Sequence, residues 1–503
     1  MALPIAHFEP HHRESEKEIL HPSYSQLVTS PPPTRMAGAR SRAAARVAVF
    51  PLPFQGHITP MLQLAGALHA RGLAITVLHT AFNAPDPARH PEFSFAAVPD
   101  AISDAAAATE DGSMDRALAM NAAVEAPALA ESVRDALASM LRAGEQEEEK
   151  EPRLACLVID ATLTAVQEAA AGLGVPTLVL HTCSAACFRL FRSYDMLYDK
   201  GYLPAQESNL LLPVKELPPL QVRDLFDPSK LPSKEIGLKL LNLANETTAR
   251  SSGAIINTFE ALEAQELETV RGELAEKGIP IFPIGPLHKL TSVDSVGTSL
   301  LKQDSTCIQW LDTQESGSVL YVSFGSVVHI TQDEFTEVAC GLANSGKPFL
   351  WVVRRGLVLG VEKPELPEGF ESAVKGRGKV IEWAPQQEVL AHSAIGGFWT
   401  HSGWNSTLES VYEGVPMLSR PNFGDQLVTA RYVEDRWKIG ILLEGVLERE
   451  KIKRAITMLM EEKEGMETRQ RAKNLKEKMR MCLESSGSSQ QAVDKLVDHI
   501  LSF

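Results

Sequence analysis

The sequence predicts an α/β protein built of two doubly wound parallel-sheet domains that face each other across a cleft, and three observations predict it. At 503 residues the chain is longer than one hydrophobic core supports. From Arg46 short apolar runs alternate with stretches of helical spacing, the order that covers both faces of a parallel sheet with helices. The alternation lapses between Gly285 and Thr306 and then restarts.

Residues 1–40 mix charges, histidines and a PPP tract without any period, which predicts a disordered extension; Met36 offers an alternative start. RVAVFPLP from Arg46 reads as a strand, TPMLQLAGALHARG as a helix stopped at Gly72, and LAITVLHT as a second strand. The alanine-rich stretch from Ala101 to Gly144 has helical character, and EQEEEKEP reads as a solvated loop. RLACLVID is a strand ending at Asp160, AVQEAAAGLGVP a helix stopped by glycine and proline, and TLVLHT a further strand. These make a first domain over 41–285. Residues 286–305, rich in Ser, Thr and Asp, form the expected linker. In the second domain, over 306–475, SVLYVSFGS, PFLWVVR, GKVIEW, AIGGFWTHS and VPMLSRP are strands, and GWNSTLESVYEG is a helix. Two or three amphipathic helical stretches follow from Asp425, and the last, within 476–503, is expected to pack back towards the first domain.

Composition narrows the function. An apolar fraction of 44% with 22% charged residues is that of an ordinary globular protein. A net charge of −15 argues against general affinity for nucleic acid or anionic membranes, so any phosphate ligand must be held locally. No apolar run is long enough to span a bilayer and no signal-peptide pattern opens the chain, which points to the cytosol. The six cysteines show no CxxC or zinc-type spacing and read as reduced structural thiols.

The chemistry-bearing motifs lie where strands meet helices. FPLPFQGHITPML, after the first strand, puts His57 where dinucleotide binders carry glycines, and no GxGxxG occurs anywhere. In FWTHSGWNSTLESV a helix N-terminus offers unpaired N–H groups and a positive dipole end, an anion site that needs no lysine. His401, Gly403, Asn405 and Ser406 sit where they could donate to a diphosphate; the plainer alternative is that Ser402 or Asn405 only caps the helix. Glu409, one turn after Asn405, could accept two ribose hydroxyls, and Trp383 offers a flat face for a base. FGS at Phe324–Ser326 ends another strand at the cleft. No DxD triplet is present, so a metal held between paired carboxylates is not expected.

The segment from Trp383 to Gln426, WAPQQEVLAHSAIGGFWTHSGWNSTLESVYEGVPMLSRPNFGDQ, resembles the 44-residue signature of the plant secondary-product glycosyltransferases, the family 1 UDP-dependent enzymes. With FQGHITPMLQLA and CLVIDA the likeness runs from Arg46 to the C-terminus. Asn422, where a small residue or cysteine is common, and the N-terminal extension depart from the pattern.

The resemblance implies a GT-B fold of two Rossmann-like domains, with the acceptor in the first and the sugar donor in the second. It assigns Trp383 to uracil stacking, Ala384 and Gln386 to the base and ribose, and Glu409 to the ribose hydroxyls. His401, Gly403, Asn405, Ser406 and Ser326 fall to the diphosphate, and Trp404, Asp425, Gln426 and Thr182 to the sugar. Gln426 at the last signature position favours UDP-glucose. His57 becomes the base that deprotonates the acceptor and Asp160 the carboxylate behind it, for direct displacement with inversion. No cofactor or metal is implied beyond UDP-glucose as donor, the expected partners are that donor and a small-molecule acceptor, and a monomer is the default. The acceptor segments at 82–88, 121–126 and 181–194 identify no acceptor. A non-catalytic nucleotide-sugar binder would lack a base, and a nicotinamide oxidoreductase would show a glycine fingerprint in its first turn; both stay as alternatives.

Overall fold

The computed structural model describes residues 45–109, 114–145, 151–230, 234–290 and 299–503. The expected N-terminal extension, most of the acidic loop and the middle of the expected linker lie outside the described residues.

Strands β1 (Arg46–Phe50), β2 (Ala74–His79), β3 (Ser94–Ala97), β4 (Leu154–Asp160), β5 (Thr177–His181), β6 (Ala254–Ile256) and β7 (Ile281–Pro283) form one sheet in the order β3-β2-β1-β4-β5-β6-β7. Strands β8 (Val319–Ser323), β9 (Phe349–Val352), β10 (Gly378–Ile381), β11 (Ile395–Thr400), β12 (Met417–Ser419) and β13 (Gly440–Leu442) form a second, ordered β10-β9-β8-β11-β12-β13. Every pairing within the two sheets is parallel. All seven residues of β4 are buried, as a parallel strand covered on both faces requires. Both sheets reverse their direction of growth once, between β1 and β4 and between β8 and β11. In open α/β sheets a crevice opens outside the carboxyl ends of the strands at that switch point.

The chain's end returns to the first sheet. In the Ser488–Leu501 helix, Ala492, Val493, Leu496, Val497 and Ile500 pack in one core with Val47, Val158, Met61 and Leu64. Ser489 Oγ donates to Gly285 O at 2.6 Å, and Arg71 meets Asp494 at 2.7 Å.

A second seam joins the halves. Val428 and Tyr432 pack among Leu190, Tyr194, Leu217 and Leu220, and Trp437 Nε1 donates to Leu262 O. Arg431, its side chain only 4% exposed, meets Asp224 of the first half through Nε at 3.0 Å and Nη2 at 3.3 Å. Its other contacts are Glu434, Asp435 and Glu444. Residues Tyr432–Arg436 form a π-turn directly after the Asp425–Arg431 helix. The region after Asp425 thus holds more than the helical stretches expected of it, including the sixth strand of the sheet, β13.

Candidate active site

Each switch point supplies one wall of a cleft of about 980 Å³. In the first sheet Phe50 of β1 pairs with Ile159 of β4, so the segments leaving these neighbouring strands emerge side by side. One carries His57 and the other Asp160. His57 Nδ1 lies 2.7 Å from Asp160 Oδ2, and Asp160 Oδ1 accepts from Ala161 N at 2.9 Å. Thr182 Oγ1, following β5, is 3.3 Å from the same ring nitrogen. Asp160 is 3% exposed, whereas 32% of the His57 side chain remains open. Burial lowers the His57 pKa, but the charge and hydrogen bond of Asp160, helped by the charge of Asp425, outweigh it and hold the imidazole above its ordinary value.

The sequence places His57 in a turn ahead of a helix beginning at TPML; the structure corrects this. The helix spans Gln55–His69, with His57 in its first turn, where the N–H groups of His57 and Ile58 both bond to Phe54 O. Pro60 therefore lies inside the helix and cannot donate to Gly56 O four residues back. That carbonyl accepts Asn405 Nδ2 of the other half at 2.9 Å. Asn405, expected at the diphosphate, thus has part of its amide engaged in joining the two walls.

In the second sheet Ser323 of β8 pairs with Thr400 of β11, and the segments beyond them also meet. His401 sits between two glycines: a Cβ on Gly325 would fall 2.6 Å from its Cε1, and one on Gly403 2.4 Å from its Nε2. Ser402 takes a left-handed φ of 64° and is fully buried. Gly403 is the N-cap of the Trp404–Glu413 helix, and no side chain caps that end. This removes the plainer capping alternative and leaves first-turn N–H groups facing the cleft beside Ser326 and Ser406. Burial, with the nearby charge of Arg354, pushes the His401 pKa down to about 4 against a backbone hydrogen bond at Ser323, so its imidazole is neutral.

Glu409 accepts from Gln386 Nε2 at 2.7 Å and Gln387 Nε2 at 3.1 Å. Burial raises its pKa while the two amides oppose that shift. Gln386 also donates to Ser406 Oγ and accepts from Tyr321 OH. Trp383 and the buried Ala384 line the same end, and Trp383 Nε1 is 3.3 Å from Ser299 Oγ. At the other end stand Asp425 and Gln426, first in their helix. Burial raises the Asp425 pKa to about 6, opposed chiefly by the charge of His57. Gln426 Oε1 accepts from the backbone of Asn422 at 3.0 Å and Phe423 at 3.4 Å, which turns its Nε2 donors the other way. Trp404 is 2% exposed and its indole N–H is engaged by Asn257 O at 2.7 Å, so its side chain offers the cleft no donor.

Sequence reasoning missed Arg354. Eight per cent exposed, it donates from Nε to Gly325 O at 2.9 Å and from Nη2 to Val328 O, fixing both ends of the turn that holds Ser326. A cation at the end of the strand-like run PFLWVVR was the available signal. Among the described residues no group of three or more His, Cys, Asp or Glu could hold a metal ion, and no helix is long and apolar enough to cross a membrane.

Comparison with known proteins gives a consistent picture. The family model described as UDP-glucoronosyl and UDP-glucosyl transferase matches residues 45–471. The chain is 42% identical over 461 residues to UDP-glycosyltransferase 76B1 of Arabidopsis thaliana, covering 90% of this chain and 98% of that one. It is 46% identical over 434 residues to the DIMBOA UDP-glucosyltransferase BX8 of Zea mays, covering 84% and 92%. Among solved structures, UGT2 of Phytolacca americana complexed with UDP-2fluoro-glucose and pterostilbene aligns with a TM-score of 0.76 at 27% identity, covering 91% of this chain and all of that one. Os79 of O. sativa in complex with UDP aligns with a TM-score of 0.74 at 28% identity, covering 90% and 100%.

Proposed function

Because the chain belongs to the UDP-glucuronosyl and UDP-glucosyl transferase family, we propose that it moves glucose from UDP-glucose to a hydroxyl of a small plant metabolite by one-step displacement, releasing a β-glucoside and UDP. The observation that carries the reading is the 2.7 Å contact of His57 Nδ1 with Asp160 at the reacting end of a cleft whose far end holds Trp383 and Glu409. Nδ1–H donates to Asp160, which leaves Nε2 to take the acceptor's proton. The acceptor oxygen then bonds to the anomeric carbon as the bond from that carbon to the diphosphate oxygen breaks. Asp160 stabilises the imidazolium, as the carboxylate of a catalytic triad does.

The departing charge meets the uncapped N-terminus of the Trp404–Glu413 helix with Gly403, Ser406 and Ser326, donors in place before charge develops. Neutral His401 stands beside them, and Asn405 keeps one amide hydrogen for a phosphate oxygen. Trp383 stacks on uracil beside Ala384, Gln386 orients the base and ribose, and Glu409, already held by two glutamines, accepts the ribose hydroxyls. Asp425 accepts from the sugar, Gln426 donates to it through Nε2, Thr182 approaches from the acceptor side, and Trp404 contributes through its backbone. The names of the maize relative and of the pterostilbene complex support glucose and a small acceptor. With its donors supplied by N–H groups and side chains, the diphosphate site calls for no metal.

His57→Ala is expected to bind UDP-glucose as the parent does in calorimetry while losing transfer to an alcohol acceptor by roughly a hundredfold or more. Undiminished turnover in that variant would sink the assignment.

A further inference from the structure

Three large apolar side chains stand open to water on one rim of the cleft: Val327 at 50% exposure, Leu359 at 47% and Phe423 at 48%. Their segments are tied together. Leu359 N donates to Ile330 O, His329 Nδ1 lies 2.7 Å from Gly356 O, and Asn422 Nδ2 donates to His329 O. The rim adjoins the sugar end, because Gln426 holds the backbone of Asn422 and Phe423. On the opposite wall Phe54, Phe82 and Met120 line the cleft, with Phe54 and Phe82 edge to face at 6.5 Å. Exposed apolar surface continuous with a binding cleft marks a place that a ligand covers. Among the described residues lining the cleft, the sole Lys or Arg is Arg354, whose guanidinium is bound to backbone carbonyls.

We propose that this rim is the second half of the acceptor site, and that the acceptor carries an uncharged hydrocarbon arm of several carbons, or a second ring, that extends from its nucleophilic oxygen across the sugar end onto Val327, Leu359 and Phe423. The inference rests on the glucosyl-transfer reading above and adds to it the substrate's shape. A compact or anionic acceptor leaves the rim wet.

The test is a series of para-alkylphenols, from phenol to para-pentylphenol, with UDP-glucose and the full chain. The parent enzyme is expected to gain in kcat/KM with each added carbon, up to about fourfold per methylene buried. Leu359→Ser and Val327→Thr are expected to reduce that gain by half or more while kcat/KM for phenol and the Kd of UDP stay at parental values. An equal gain in parent and variants, or no gain in the parent, would overturn the inference while leaving glucosyl transfer standing. No turnover of any member by a protein that binds UDP-glucose would also overturn the inference, whereas failure to bind UDP-glucose would fail the transfer reading itself, and the inference with it.

Discussion

At the residue scale the pair His57 and Asp160 governs the pH response. The carboxylate beside it keeps the His57 pKa above the ordinary 6.5 despite burial, and the base works only when neutral. Transfer rate is therefore expected to rise with pH through an inflection above that value. Asp425 adds to the acid limb, since it takes up its own proton near 6 and then no longer accepts from the sugar as an anion. In Asp160→Asn the raising influence is gone, so the inflection moves down, and the alkaline plateau falls by roughly a hundredfold or more as the tautomer loses its anchor. A pH profile of kcat/KM for the acceptor checks both; an unmoved inflection would contradict the pairing.

At the scale of elements, the Ala185–Phe191 helix begins on a buried carboxylate. Glu263 accepts from Ala186 N through Oε1 and from Ala185 N and Thr258 Oγ1 through Oε2, and to reach them its backbone departs from helical geometry at φ −131°. Burial raises its pKa from 4.5 to about 7 in spite of those donors. The folded chain thus holds this proton more tightly than the unfolded one, so the residue's contribution to stability is greatest below 4.5 and declines as pH rises towards 7. Glu263→Gln is expected to flatten that decline. It also turns an amide N–H₂ onto a backbone donor, at about 1–3 kcal/mol near neutrality. Thermal midpoints across that window are the measurement, and parallel curves for the two proteins would refute it. This element also marks the limit of what sequence patterns disclose. The long strands and the signature loop were readable because each carries its own period or motif. Three-residue strands such as β6, β7 and β13 are too short to display a period. The start at Gln55 was hidden because Pro60 reads as a first-turn residue, while the group that completes its helix is Asn405, 349 positions from Gly56. Arg354 and the apolar rim depend likewise on partners brought close only by folding.

At the scale of the whole molecule, several sets of contacts join the two halves beside the cleft. Arg431 lies under one of them, in the same helix whose first residues are Asp425 and Gln426, so the sugar end and the seam share a rigid element. Arg431→Met is expected to leave Asp224 buried without its counter-charge and to cost about 3–5 kcal/mol. Denaturant unfolding followed by tryptophan fluorescence reads this directly, and an unchanged midpoint would show the network to be dispensable. A smaller tie beside the base is the bond between Asn405 and the carbonyl that Pro60 leaves unserved. An imino acid in the first half creates a want that an amide in the second half answers, beside the groups that meet phosphate and proton. Neither half can complete that helix or that loop by itself. The register of the two halves is thereby tied to the very spot where the chemistry is done, and halves set out of register would leave that carbonyl unanswered next to the base.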